Sequence, residues 1–129
     1  MSNMAVLDAS ALLAVLNNEP GAEKLTVELL SNSIISTVNL AEVHSKLVSE
    51  GSNPDETWED ILTPVREAAP FTAVHAQLVG SLIGQTRPLG LSLGDRACLA
   101  LGIALKAPVY TADRSWGRLK LGIRIHVIR

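Results

Sequence analysis

From Ala97 to Leu105 the chain reads Ala-Cys-Leu-Ala-Leu-Gly-Ile-Ala-Leu, nine successive residues that are small or apolar. A bilayer crossing needs about 20 such residues, so this run does not make one. It reads instead as the body of a helix, Asp95 to Lys106, buried nearly all round. Such a helix needs other elements packed on every side. A chain of 129 residues buries roughly two-thirds of its unfolded surface, enough to enclose the helix without metal or disulfide staples. An apolar share of 47% against 19% charged excludes a disordered chain. No repeat, linker or low-complexity tract appears, so one domain over residues 1–129 is expected.

The remaining elements are short. Met4 to Leu7, Ile34 to Ser36 and Val109 to Thr111 read as buried strands. Phe71-Thr72 is a weaker one, and Ile123 to Ile128 alternates as an edge strand does. Helices are expected over Ala11 to Leu16, Ala22 to Leu30, Thr37 to Ser49, Pro54 to about Ala68 with a bend near Pro64, and Val74 to Thr86. Short strands alternating with helices predict an α/β fold, with helices covering both faces of a parallel sheet of about four to five strands. Right-handed crossovers then bring the loops after the strands to one edge, where such sheets place their active crevice.

That geometry selects acids. Asp8 follows the first strand and Asp113 follows Val109 to Thr111. Asp95 opens the buried helix, and Glu42 lies about a turn and a half into the helix after the second strand. All are placed to converge on one crevice. Each also has a purely local role open to it: Asp8 as a helix cap, Asp95 as a first-turn acid, Asp113 as a turn residue and Glu42 as a solvated helix side chain. Crowded carboxylates repel and raise one another's pKa, and hard divalent cations with oxygen ligands relieve this. Mg²⁺ or Mn²⁺ suits the donors, because His44, His75, His126 and the lone Cys98 are too scattered for a zinc site. Ser10 and Thr111 stand two residues after Asp8 and two before Asp113, placed to orient a carboxylate or a water.

Net charge is −2, but it is unevenly shared. Residues 1–70 hold eleven acids against three bases; residues 71–129 hold two acids, Asp95 and Asp113, against eight bases. A basic stretch of this kind suits phosphate or another polyanion, or attraction between the halves. The single cysteine cannot form an internal disulfide and no signal-like segment opens the chain, so a cytoplasmic location is expected.

Val6-Leu7-Asp8-Ala9-Ser10-Ala11-Leu12, Asn39-Leu40-Ala41-Glu42-Val43, Gly90 to Ala100 around Ser92-Leu93-Gly94-Asp95-Arg96-Ala97, and Tyr110-Thr111-Ala112-Asp113-Arg114 together resemble a PIN domain, and more closely the VapC toxins of bacterial toxin–antitoxin pairs. The resemblance implies a three-layer α/β/α fold and a metal-dependent endoribonuclease. It implies that Asp8, Glu42, Asp95 and Asp113 bind one or two Mg²⁺ or Mn²⁺ ions. It also implies an RNA substrate, a homodimer and a cognate antitoxin that blocks the site. Some members carry a further acid after the last Asp; here that stretch reads Arg114-Ser115-Trp116. The mechanism expected is in-line attack of water on a phosphodiester. Arg96, Arg114 and Arg118 are the candidate phosphate contacts, with a structural ion pair equally open to Arg96; Trp116 is the candidate for base stacking, with core or dimer packing the commoner place for so large an apolar side chain. Two rivals are an interaction module that keeps the acids for stability and dimerises, and a phosphatase with an aspartyl nucleophile at Asp8. The second is weakened by Ser10, where that chemistry commonly places another Asp.

Overall fold

The computed structural model describes residues 3–129. Five parallel strands form one sheet: β1 (Ala5–Leu7), β2 (Ser33–Ser36), β3 (Glu67–Ala69), β4 (Val109–Thr111) and β5 (Ile125–Val127), in the order β3-β2-β1-β4-β5. Val6 pairs with Ile34 and Val109, and Leu7 with Ile35 and Tyr110. Alternation sends these two rows to opposite faces. Val6, Ile34 and Val109 pack with Cys98, Leu99, Leu101 and Trp116 on one face. Leu7 and Ile35 pack with Leu12, Leu40, Val43 and Ile61 on the other. The expected helix-covered parallel sheet is thus present, with a core on each side.

Helices α1 (Ala9–Leu16), α2 (Val27–Ser31), α3 (Thr37–Ser49), α4 (Pro54–Leu62), α5 (Ala73–Ser81), α6 (Ile83–Thr86) and α7 (Leu93–Leu105) complete the layers. Helix α7 is the apolar one: Ala97 to Gly102 are all buried. It starts two residues before the sequence expectation because Ser92, not a later residue, caps it. Among the described residues no helix is long and apolar enough to cross a membrane.

Beyond end shifts of one or two residues, as at α1, α7 and β5, three elements differ from expectation. The second helix is broken: Ala22–Lys24 forms a 3₁₀ turn, and Thr26 then starts α2 by accepting the Leu29 N–H. Helix α4 stops at Leu62, short of Pro64, and the chain straightens into β3 at Glu67–Ala69 rather than at Phe71-Thr72. Phe71 instead donates its N–H to the Thr37 hydroxyl. The fifth helix is divided at Leu82, between Gly80 and Gly84.

Gly21 holds the chain where its end passes. Its φ is +96°, and a Cβ there would stand 2.5 Å from the Ile128 carbonyl oxygen. Gly21→Ala is expected to lower unfolding free energy by at least about 1 kcal/mol. An unchanged urea midpoint would contradict this close approach.

Strand order reverses beside β1, which lies between β2 and β4. In open parallel sheets the crevice at the carboxyl ends of such strands is where ligands bind. Asp8 and Asp113 follow those two strand ends.

Candidate active site

Asp8 turns the chain from β1 into α1. Its backbone is extended (φ −85°, ψ 175°), and its carboxylate accepts the Ala11 N–H at 2.8 Å as the helix cap. The same carboxylate accepts the Thr111 hydroxyl at 2.6 Å and the Ser10 hydroxyl at 2.7 and 2.9 Å. It is only 3% exposed. Burial raises its pKa to about 6; the hydrogen bonds from Thr111, Ala11 and Ser10 pull it down, and the nearby charge of Asp95 adds to the rise.

The ends of β1 and β4 are laced together by the two hydroxyls. Besides holding Asp8, Thr111 accepts the Asp113 N–H at 3.0 Å, and Ser10 accepts the Ala112 N–H at 2.9 Å. Asp113 is exposed, and its Oδ1 accepts both the N–H (2.9 Å) and the hydroxyl (2.7 Å) of Ser115. Asp95 stands in a capping box at the head of α7: Ser92 Oγ accepts its N–H at 3.1 Å, and its Oδ2 accepts the Ser92 N–H at 2.9 Å.

Glu42 reaches the same place from α3. Asn39 Nδ2 donates to its Oε1 at 2.9 Å and to the Gly94 carbonyl at 2.9 Å. Gly94 lies directly under the Glu42 carboxylate, whose atoms a Cβ there would overlap. Sequence reasoning missed Asn39 and Gly94. The available signal was spacing, since Asn39 is three residues before Glu42 and so shares its helix face.

Beneath the acids lies Cys98, wholly buried. Burial pushes its thiol pKa up, and Asp8, Asp95 and Glu42 each push it further. Three of the four expected acids therefore act on one buried point. Asp113 is tied to Thr111 only by its backbone N–H, while its carboxylate bonds Ser115. The grouping is looser than a ready cage: among the described residues no three His, Cys, Asp or Glu side chains stand close enough to grip one ion as placed. Nor does a cationic side chain of the described residues pair with them. Among the described residues the one ion pair is Arg129 with Glu19, at 3.1 Å.

Residues 5–121 match the family model described as the PIN domain. The chain belongs to the PIN domain family. No curated protein sequence matches it. Solved structures share the fold. The crystal structure of VapBC2 from Rickettsia felis bound to a promoter DNA fragment matches with a TM-score of 0.75 at 22% identity, over 98% of this chain and 99% of that one. A toxin–antitoxin complex from Klebsiella pneumoniae matches at 0.73 and 15% identity, over 92% and 94%. VapC20 from Mycobacterium tuberculosis, a sarcin-ricin loop cleaving toxin, matches at 0.73 and 15% identity, over 93% and 98%.

The fold gives Trp116 the packing role open to it in the sequence, and gives Arg96 a structural contact. Trp116 is 0% exposed and packs under the sheet with Val6, Val109 and Leu99, so it offers no face for a base. Arg96 is half-buried; its Nη1 donates to the Val79 carbonyl at 3.0 Å near the end of α5, and its Nε is buried without a partner. It fastens α7 to α5 and complements that helix's C-terminal dipole. Arg114 and Arg118 are both exposed in the 3₁₀ turn (Arg114–Arg118) that Asp113 caps. Arg114 Nε donates to the Arg129 carbonyl at 3.1 Å.

Proposed function

We propose that this PIN domain is a metal-dependent endoribonuclease and the toxin of a toxin–antitoxin pair. The observation that carries the reading is the buried Asp8 carboxylate at the sheet's reversal point, with the charges of Asp95 and Glu42 close by and no ion pair to any of the three among the described residues. The VapC-type structural neighbours support it.

The donor set fits a hard divalent cation. It is all oxygen, and Asp95 Oδ1, Glu42 Oε2 and Asp113 Oδ2 accept no hydrogen bond from the described residues. Asp8, Asp95, Asp113 and Glu42 would hold the ion, their carboxylates drawing in from the looser spacing they have as placed. When bound, Mg²⁺ or Mn²⁺ supplies the positive charge that offsets the carboxylates, admits an anionic phosphodiester and makes water a usable nucleophile near neutral pH. The chain's own groups supply placement. Ser10 and Thr111 fix Asp8 in one orientation, and Glu42 is set to orient a water. Arg114 and Arg118 stand beside Asp113 for the phosphates of the substrate strand. Stacking plays no part, so RNA is recognised through phosphate position and shape. An antitoxin chain that covers the crevice, and a second copy of this chain, are the partners proposed; the buried, unpaired Cys98 suits a reducing cytoplasm.

The test is cleavage of a broad RNA panel by the purified, partner-free chain. Cleavage is expected with Mn²⁺, to be abolished by chelator and restored by added Mn²⁺. A folded, Mn²⁺-loaded sample that leaves every RNA intact would defeat the reading.

A further inference from the structure

We infer that Asn39 and Gly94 are positioning residues that form a socket for the Glu42 carboxylate; the inference rests on the nuclease reading above for what Glu42 does.

Asn39 is wholly buried, which an amide side chain tolerates only when its groups are used. Its Nδ2 spends both hydrogens, one on Glu42 Oε1 of its own helix α3 and one across to the Gly94 carbonyl of α7, each at 2.9 Å. Both partners are acceptors. Turning the amide over would set its oxygen against two oxygens, so its orientation is fixed by its neighbours. That orientation leaves Asn39 Oδ1 buried without a partner. The amide is thus oriented by its two acceptors, Glu42 and Gly94.

Gly94 supplies the other wall. Built onto its backbone, a Cβ overlaps Oε1, Oε2 and Cδ of Glu42, and these are the nearest atoms it meets. The bare Cα is thus what lets the carboxylate lie against the first turn of α7, one residue before Asp95. One amide and one missing side chain fix Glu42 relative to Asp95, although the two acids belong to helices far apart in the chain.

The two variants separate positioning from folding. Asn39→Ala removes the amide but also opens a buried space. Gly94→Ala adds a methyl whose three nearest neighbours all belong to the free end of a flexible side chain, so the fold survives and Glu42 moves. Measured by calorimetry, Mn²⁺ affinity is expected to fall about 10- to 100-fold in both variants. The kcat for RNA cleavage is expected to fall by a similar factor, with KM little changed. Thermal unfolding of metal-free Gly94→Ala should match wild type. In a Glu42→Ala background, adding Gly94→Ala should have no further effect, because the socket then has nothing to hold.

If wild type cleaves RNA while Gly94→Ala and Asn39→Ala keep wild-type kcat and Mn²⁺ affinity, the socket falls and the nuclease reading stands. If wild type binds Mn²⁺ but cuts no RNA, and Gly94→Ala weakens binding only when Glu42 is present, the socket stands and the nuclease reading falls. A wild type that neither binds Mn²⁺ nor cleaves overturns both. An additive loss from Gly94→Ala on top of Glu42→Ala also overturns the socket.

Discussion

Asp8→Asn is expected to give a metal-free protein more stable than wild type above about pH 6, and one that no longer cleaves RNA. The stability gain follows from linkage. The Asp8 carboxyl has a pKa of about 6 in the folded chain against an ordinary 3.8. As pH rises between these values the unfolded chain releases its proton while the folded chain keeps it. Wild-type stability therefore falls through that window and levels off above about pH 6. The gap corresponds to about 3 kcal/mol, and the group is too buried for solvent to screen much of it. Asparagine carries no such penalty. Its oxygen can still accept the Ala11 N–H, and its amine can meet the Ser10 and Thr111 oxygens once those hydroxyls rotate.

The expected gain is thus near zero at about pH 4 and approaches about 3 kcal/mol at about pH 7.5. Urea titrations of both proteins across that range measure it. Mn²⁺ reverses the comparison, because binding to the folded state stabilises wild type by mass action and the variant lacks a ligand. Cleavage should drop by more than about 100-fold, beyond what losing a residue that only orients a ligand produces. Parallel stability curves at every pH would show that Asp8 is a cap and nothing more.

Asp8 also shows why much of this site was legible in the sequence. The apolar triplets before Asp8 and Asp113 read as strands, and parallel topology puts the ends of parallel strands at one edge. Ser10 and Thr111 followed from spacing alone, and both hydroxyls bond Asp8. Local and site roles competed on paper for each acid. In the structure they coexist: Asp8 caps α1 while lying in the crevice, and Asp95 completes a capping box while its charge reaches Asp8. What sequence could not supply was the distance between the acids, which hydrogen bonds such as those of Asp113 with Ser115 help to set.

The misplaced strand has a different cause. Glu67-Ala68-Ala69 has no β-branched residue and no alternation, so nothing local marks it as extended. Its pairing with Ile34, Ile35 and Ser36 is imposed by the otherwise open edge of β2, after Pro64 has ended the helical path. Asn39 was hidden for a related reason. A buried amide on a helix looks like a surface residue until the opposing helix is in place.

Trp116 gives the other large effect expected, and it decides between the two roles open to it in the sequence, core packing and base stacking. In the chain it neighbours Arg114 and Arg118, which suggests a base-stacking platform beside cations. In the structure the 3₁₀ turn capped by Asp113 carries it under β1 and β4, where its whole surface is covered. Trp116→Ala is then expected to cost about 3–5 kcal/mol, a large part of the roughly 5–15 kcal/mol that holds a domain together. Trp116→Phe should cost far less, under about 2 kcal/mol. Its ring keeps most of the packing, and the indole N–H it removes is buried without a partner, so no hydrogen bond is lost. A stacking platform predicts the opposite pattern: unchanged stability in both variants, and RNA affinity weakened by about 1–3 kcal/mol in Trp116→Ala alone. Urea midpoints together with RNA binding per folded molecule distinguish the two. If Trp116→Ala unfolds at the wild-type midpoint, the placement of this side chain in the core is wrong.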